Sequence, residues 1–203
     1  MKDTILFATG NEKKMLEIRA ILADLNRRIL SMKEAGIDVE IMEDGDSFEE
    51  NALIKAREIY KRTGALVLAD DSGLEVDYLD KEPGIHSARY LGEDTPYSVK
   101  NQAIIDRLEG VEGAARSARF RCVIAAVFPD GTEAVEEGTI EGVIARAPSG
   151  NGGFGYDPIF YLPEQGKTTA DLTPKEKNAI SHRGQALEKM KQVIRKYYER
   201  IES

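Results

Sequence analysis

The pattern of apolar and polar positions divides the chain into short strands and amphipathic helices. Thr4 to Ala8 is a short apolar run ending in Thr9-Gly10-Asn11, and Met15, Ile18, Leu22 and Leu25 then recur on one helical face. The chain therefore opens as strand, tight turn, helix. Ile37 to Asp46 is acidic and ends in a turn at Asp44-Gly45. Ser47 with Glu50 fits a capping box for a helix that Gly64 closes. Ala65 to Ala69 reads as a fully buried strand with Asp70-Asp71-Ser72-Gly73 at its end, and Leu74, Val76 and Tyr78 alternate as a second strand. Thr95-Pro96 starts a helix through Leu108. Arg116 to Phe128 is strand-like, and Pro129-Asp130-Gly131 turns it into Glu133 to Ile144. A glycine-rich loop covers Ser149 to Tyr156. Thr173 with Glu176 forms a second capping box, and Leu187, Met190, Val193, Ile194 and Tyr197 mark a final amphipathic helix. Strands alternating with helices early, then hairpin strands, predict an α/β fold with a mixed sheet.

Composition narrows the class. A length of 203 residues allows one large domain or two small lobes, and 41% apolar residues suffice for a core. The longest apolar runs fall far short of the roughly 20 residues of a membrane span. Met1-Lys2-Asp3-Thr4-Ile5 runs straight into a strand without a signal-peptide pattern, and Cys122 is the only cysteine, so a cytoplasmic location is expected. Net charge is −8, from 36 acidic and 28 basic residues, which disfavours nucleic-acid and membrane partners. A small polyanion stays open, since a metal and a few convergent cations reverse the potential locally. With only His86 and His182 available, a metal would be held by carboxylates, which suits Mg²⁺.

Five groups of residues carry candidate chemistry. In Thr9-Gly10-Asn11-Glu12-Lys13-Lys14, Gly10 permits a tight turn, the helix N-terminus offers amides to an anion, and Lys14 reaches the same phosphate. An ordinary strand-to-helix turn is the plainer account, and the glycine-to-lysine spacing of a Walker A loop is missing. Asp70-Asp71-Ser72-Gly73 puts two carboxylates where open α/β sheets bind ligands. An Asp-rich turn between strands, with Gly73 at positive φ, explains it equally well. Lys55 lies one helical turn from Asn51 and Ile59, and on the helix alone it reads as solvated.

Gly150 to Pro158 contains G-x-G-x-x-G, but Pro158 and Ile159-Phe160-Tyr161 announce an extended segment where a dinucleotide fingerprint needs a helix. Phe154 and Tyr156 in a glycine-rich loop suit close approach to a flat ring. Lys177 and Ser181-His182-Arg183, at a helix junction, gather donors for a base edge or phosphate, or form one solvated face.

Together the motifs are more specific than any one. T-G-N-x-x-K (Thr9 to Lys14), E-N-A-x-x-K-A (Glu50 to Ala56), A-D-D-S-G (Ala69 to Gly73), P-G-x-x-S-A-R-Y (Pro83 to Tyr90), G-G-F-G-Y-D-P (Gly152 to Pro158) and E-K-x-A-I-S-H-R (Glu176 to Arg183) run in order along the chain. The set resembles the inosine-triphosphate pyrophosphatase family, also called XTP/dITP diphosphatases. His86 and Met42 are small departures that remove no reactive group.

The resemblance implies a single two-lobed domain over residues 1–203, with a mixed, elongated, curved sheet flanked by helices and a central cleft. Its implied activity is hydrolysis of ITP, dITP and XTP to the monophosphate and pyrophosphate, with Mg²⁺ (Mn²⁺ a possible substitute), in a homodimer. Position by position, Thr9, Gly10, Asn11, Glu12, Lys13, Lys14 and Lys55 would hold the triphosphate. Glu43 and Asp71 would bind metal, Asp71 doubling as general base beside substrate-contacting Ser72. Phe154, Gly155, Tyr156, Asp157, Lys177, His182 and Arg183 would form the nucleoside pocket, where a donor such as Arg183 donates to hypoxanthine's 6-oxo group and rejects adenine's amine. A Maf-type pyrophosphatase acting on pyrimidine or modified nucleotides is the nearest rival, but its first motif is serine- and arginine-rich and it lacks S-H-R. A non-catalytic nucleotide sensor would gain only repulsion from Glu43, Asp70 and Asp71.

Overall fold

The computed structural model describes residues 4–202, so the part of the N-terminal expectation that falls on Met1 to Asp3 lies outside the described residues. In chain order the regular elements are β1 (Thr4–Phe7), α1 (Glu12–Leu22), β2 (Arg28–Ser31), α2 (Phe48–Thr63), β3 (Leu66–Val76), α3 (Tyr97–Arg107), β4 (Ser117–Val127), β5 (Glu133–Ile144), β6 (Phe160–Leu162), β7 (Lys167–Thr168), α4 (Pro174–Ile180) and α5 (His182–Glu202). The sheet order is β2-β1-β3-β4-β5-β6-β7. Its pairings are mixed, as expected: β1 runs parallel to β2 and β3, while β6 runs antiparallel to β5 and β7.

The chain forms two compact units, and β3, β4 and β5 each contribute residues to both. The first unit comprises residues up to Asp71, Cys122–Gly138, and residues from Arg183 onward. Its core joins Ile5 and Phe7 of β1, Leu66 and Leu68 of β3, Met15, Ile18 and Leu22 of α1, and Leu187, Met190 and Ile194 of α5. The apolar stripe read from the sequence is thus the face each helix buries, each such side chain contributing about 1.5–3 kcal/mol. The second unit, Ser72–Arg121 with Thr139–His182, has its own core of Leu74, Ile104, Leu108, Phe120, Ile159, Phe160 and others.

Several local expectations change. Asp70-Asp71-Ser72-Gly73 is no turn: β3 runs unbroken through it, and Gly73 is absent from the positive-φ positions. The second strand ends at Val76, because Asp77–Leu79 forms a single 3-10 turn that leaves Tyr78 exposed. Gly10 is not at positive φ, and a Cβ there would meet nothing within 4 Å, so the tight-turn argument for it fails. Arg28–Ser31, unread in the sequence, pairs with β1 as a four-residue strand. At α2, Ser47 caps as expected, but Glu50 reaches back to the Asp46 amide rather than closing the box on Ser47.

Candidate active site

In the first unit, β1 delivers the chain to the N-terminus of α1. Asn11 is the cap residue, and its Oδ1 accepts the Lys14 amide at 3.1 Å. The Asn11 amide in turn donates to Thr9 Oγ1 at 3.2 Å. Gly10, Asn11, Glu12 and Lys13 are exposed, and Thr9 and Lys14 are half-buried. The Lys14 ammonium pairs with Asp70 Oδ2 at 2.9 Å.

Because successive strand residues point to opposite faces, the adjacent aspartates of β3 enter different surroundings. Asp70, 1% exposed, lies between two cations: Lys14, and Arg183 Nη2 at 3.2 Å. Burial pushes its pKa up, but Lys14, Arg183 and then Lys55 outweigh that and hold the carboxyl far below its ordinary range. Arg183 is fully enclosed, with Nη1 donating to Glu17 Oε2 at 2.6 Å. Charges therefore alternate along Lys14, Asp70, Arg183 and Glu17.

Asp71 has weaker compensation. Lys55 Nζ is 3.4 Å from Asp71 Oδ1 and is shared with Glu43 Oε2 at 3.0 Å. Asp71 Oδ2 is buried with no hydrogen-bond partner. Burial raises the Asp71 pKa; Lys55 opposes this, while Glu43 and Asp70 add to it. Lys55, expected to be solvated, is buried instead: burial lowers its pKa, and the charges of Asp71, Asp70 and Glu43 more than reverse that.

In the second unit the glycine-rich loop closes on Asp157. This side chain, 2% exposed, accepts the Phe154 amide and Lys177 Nζ at Oδ2, both at 2.7 Å, and Thr169 Oγ1 at Oδ1, at 2.8 Å. The Lys177 ammonium lies 4.5 Å from the centroid of the half-buried Phe154 ring. Gly155 O accepts Asn101 Nδ2 at 3.2 Å. Tyr156, expected to face a flat ring beside Phe154, is buried: its hydroxyl donates to Ser87 O at 2.7 Å and its ring meets that of Tyr97 in a T-shaped contact. It braces the loop from beneath. His182 stacks on Phe120 with centroids 4.8 Å apart, and Ser72 is half-buried in β3.

The structure thus gathers Lys14, Lys55, Glu43, Asp71 and Arg183 in the first unit, and Phe154, Asp157 and Lys177 in the second. The solvated-face account of Lys177, His182 and Arg183 fails, since all three are buried. Arg183 pairs with Glu17 and Asp70, and the Glu176 carboxylate closes the cap at Thr173. Glu17, Thr169 and Ser87 escaped the sequence reading as partners. Glu17 alone left a signal, three residues after Lys14 on the same helix.

Fold and site together define a class: an α/β protein with a lysine-bridged carboxylate centre beside a helix N-terminus. The chain belongs to the Ham1 family, whose model matches residues 5–193. It is 52% identical over 197 residues to the dITP/XTP pyrophosphatase of Clostridium perfringens, covering 94% of this chain and 96% of that one. To the dITP/XTP pyrophosphatase of Escherichia coli O157:H7 it is 47% identical over 193 residues, covering 94% and 98%. Among solved structures, a HAM1 protein from Coxiella burnetii superposes with a TM-score of 0.86 at 43% identity, covering 95% of this chain and 98% of that one.

Proposed function

We propose that this chain hydrolyses noncanonical purine nucleoside triphosphates (ITP, dITP and XTP) to the monophosphate and pyrophosphate, as one catalytic domain. The observation that carries the reading is the Asp71 centre: a buried carboxylate oxygen without a partner, beside a lysine shared between two carboxylates. The names of the similar pyrophosphatases supply the substrate class, and the Maf-type reading finds no support among them.

The donor set fits a hard divalent cation such as Mg²⁺. Glu43 and the unpartnered oxygen of Asp71 are oxygen ligands, and no larger His/Cys/Asp/Glu group that could hold a metal occurs among the described residues. Two carboxylates suit an ion that keeps several waters and takes substrate phosphate oxygens. Such an ion would supply charge neutralisation to the polyphosphate.

The remaining work falls to the chain. Amides at the α1 N-terminus, with Thr9, Gly10, Asn11, Glu12, Lys13 and Lys14, bind the triphosphate. Lys55 offsets its charge and keeps Glu43 and Asp71 apart in role. Asp71 takes the proton of the water that attacks the α-phosphorus; its raised proton affinity makes it a better base than an ordinary aspartate. Ser72, next along β3, contacts the substrate. Phe154 with Gly155 offers a face to the purine, backed by Tyr156 and Asp157, and Lys177, His182 and Arg183 donate to it. Arg183 also serves Glu17 and Asp70, so its contact to a 6-oxo group extends an arginine already held in place. Guanine, which shares the 6-oxo group, has to be refused at its 2-amino group. A homodimer in the cytoplasm completes the proposal.

The test is a panel of ITP, dITP, XTP, ATP, GTP and CTP with Mg²⁺, scored by released pyrophosphate. The reading expects turnover of the first three with the rest at least about tenfold poorer. Equal turnover of all six, or release of orthophosphate, would overturn it.

A further inference from the structure

Both oxygens of Asp157 are spent inside the protein, which bears on what this residue does. Oδ2 takes the Phe154 amide and the Lys177 ammonium, and Oδ1 takes the Thr169 hydroxyl. Three donors on its two oxygens tie the aspartate into the protein. Its geometric effect is to hold Lys177 Nζ over the Phe154 ring. Thr169 is 3% exposed and belongs to the Thr169–Asp171 turn, which Thr168 and Asp171 close with a reciprocal cap. That turn also receives the glycine-rich loop: the Gly152 amide donates to Ala170 O at 2.9 Å. A Cβ at Gly150 or Gly152 would run into Ala170, and one at Gly153 into Asp157.

We propose that Thr169 is a positioning residue for nucleoside recognition: through Asp157 it fixes the Lys177 ammonium against Phe154, and with it the side of the site that reads the purine. Thr169 touches no substrate itself. The inference rests on the reading that Phe154 and Lys177 face the purine. A fixed ammonium over an aromatic face suits a base with an oxo acceptor next to its ring plane. Loosening it should weaken binding of inosine triphosphate and leave the hydrolytic step alone.

Thr169→Val removes the hydroxyl at nearly constant volume, and Thr169→Ser restores it. For Thr169→Val, KM for ITP should rise about tenfold with kcat within about twofold of wild type, and Thr169→Ser should return KM to near the wild-type value. Independently of any substrate, amide hydrogen exchange at Phe154 should speed up about tenfold in Thr169→Val, because its acceptor Asp157 is no longer fixed. Should Thr169→Val fail to fold, Thr169→Ala, which sets no methyl against the carboxylate, carries the same expectations. Unchanged KM with unchanged exchange would overturn the proposal. So would a lowered melting temperature with KM intact, which marks a merely structural hydroxyl, or failure of Thr169→Ser to restore KM. If wild-type protein does not turn over ITP at all, the functional reading falls, and the exchange rate alone decides the role of Thr169.

Discussion

Each unit buries an aspartate against a lysine, yet Asp71 and Asp157 are treated in opposite ways. In the second unit, Asp157 has three donors on two oxygens, with Lys177 at 2.7 Å. In the first, Asp71 shares Lys55 with Glu43 at the longer distance of 3.4 Å and keeps one oxygen without a partner. Saturated buried polar groups rigidify, whereas an unsatisfied carboxylate stores free energy that a cation or a proton can release. The contrast separates a strut from a reactive centre. Asp70, although it adjoins Asp71 in sequence, differs in its cations: Lys14 and Arg183 both meet its Oδ2 and hold its carboxyl ionised.

The sharpest way to break this contrast is Asp71→Asn. Losing a general base should lower kcat for ITP by at least about 10²-fold. Stability measured without divalent cation should hold or rise, because a neutral amide replaces a carboxyl whose ionisation burial already opposes. A folded variant that keeps most of its turnover would move the base elsewhere.

Asp157→Asn should act the other way. It removes the counterion at 2.7 Å from the Lys177 ammonium, whose side chain is only 7% exposed, and breaking such a buried pair costs roughly 3–5 kcal/mol. Denaturant unfolding should show that loss, while kcat at saturating ITP falls far less than in Asp71→Asn. A melting curve unchanged from wild type would refute the strut assignment.

Arg183→Ala tests whether a residue can serve both purposes. Removing a base contact should shrink the ITP-to-ATP ratio of kcat/KM by about tenfold, and loss of a counterion to Asp70 should lower the melting temperature as well. An unchanged ratio would leave Arg183 as a counterion and pass base recognition to His182 and backbone groups.

Smallest in size, and specific in sign, is the pH dependence of stability in metal-free protein. Asp71, with its folded pKa above the ordinary 3.8, binds more protons folded than unfolded between those two values. Wild type should therefore lose stability relative to Asp71→Asn as pH rises through that window. Asp70 is shifted downward, so the stability it contributes is present above 3.8 and fades as pH falls below it. Accordingly, the deficit of Asp70→Asn against wild type should shrink on acidification, in thermal melts between pH 3 and 7, a range of about four units around the carboxyl pKa values. Parallel curves for the two variants would erase the distinction between the faces of β3.

Much of this was legible in the chain itself. Helical stripes such as Met15, Ile18 and Leu22, and the caps at Ser47 and Thr173, are local signals, and the structure keeps them. Misreadings arose where one residue type serves two ends. Asp, Ser and Gly usually mark a turn, but in β3 buried partners hold them extended. The four residues of β2 carry too short a pattern to separate from loop. At the site, the motifs located the reactive lysines and carboxylates but not their supports. Glu17 meets Arg183 across 166 positions and Thr169 meets Asp157 across 12, and no helical or strand period records such contacts.

The central claim is that the Asp71 centre directs water onto the α-phosphorus of a noncanonical purine triphosphate. Hydrolysis of ITP in ¹⁸O-enriched water, with mass analysis of both products, tests it most directly. The account predicts one ¹⁸O in the inosine monophosphate and none in the pyrophosphate, with the labelled product lost in Asp71→Asn. Label in the pyrophosphate instead, or in orthophosphate, would contradict it.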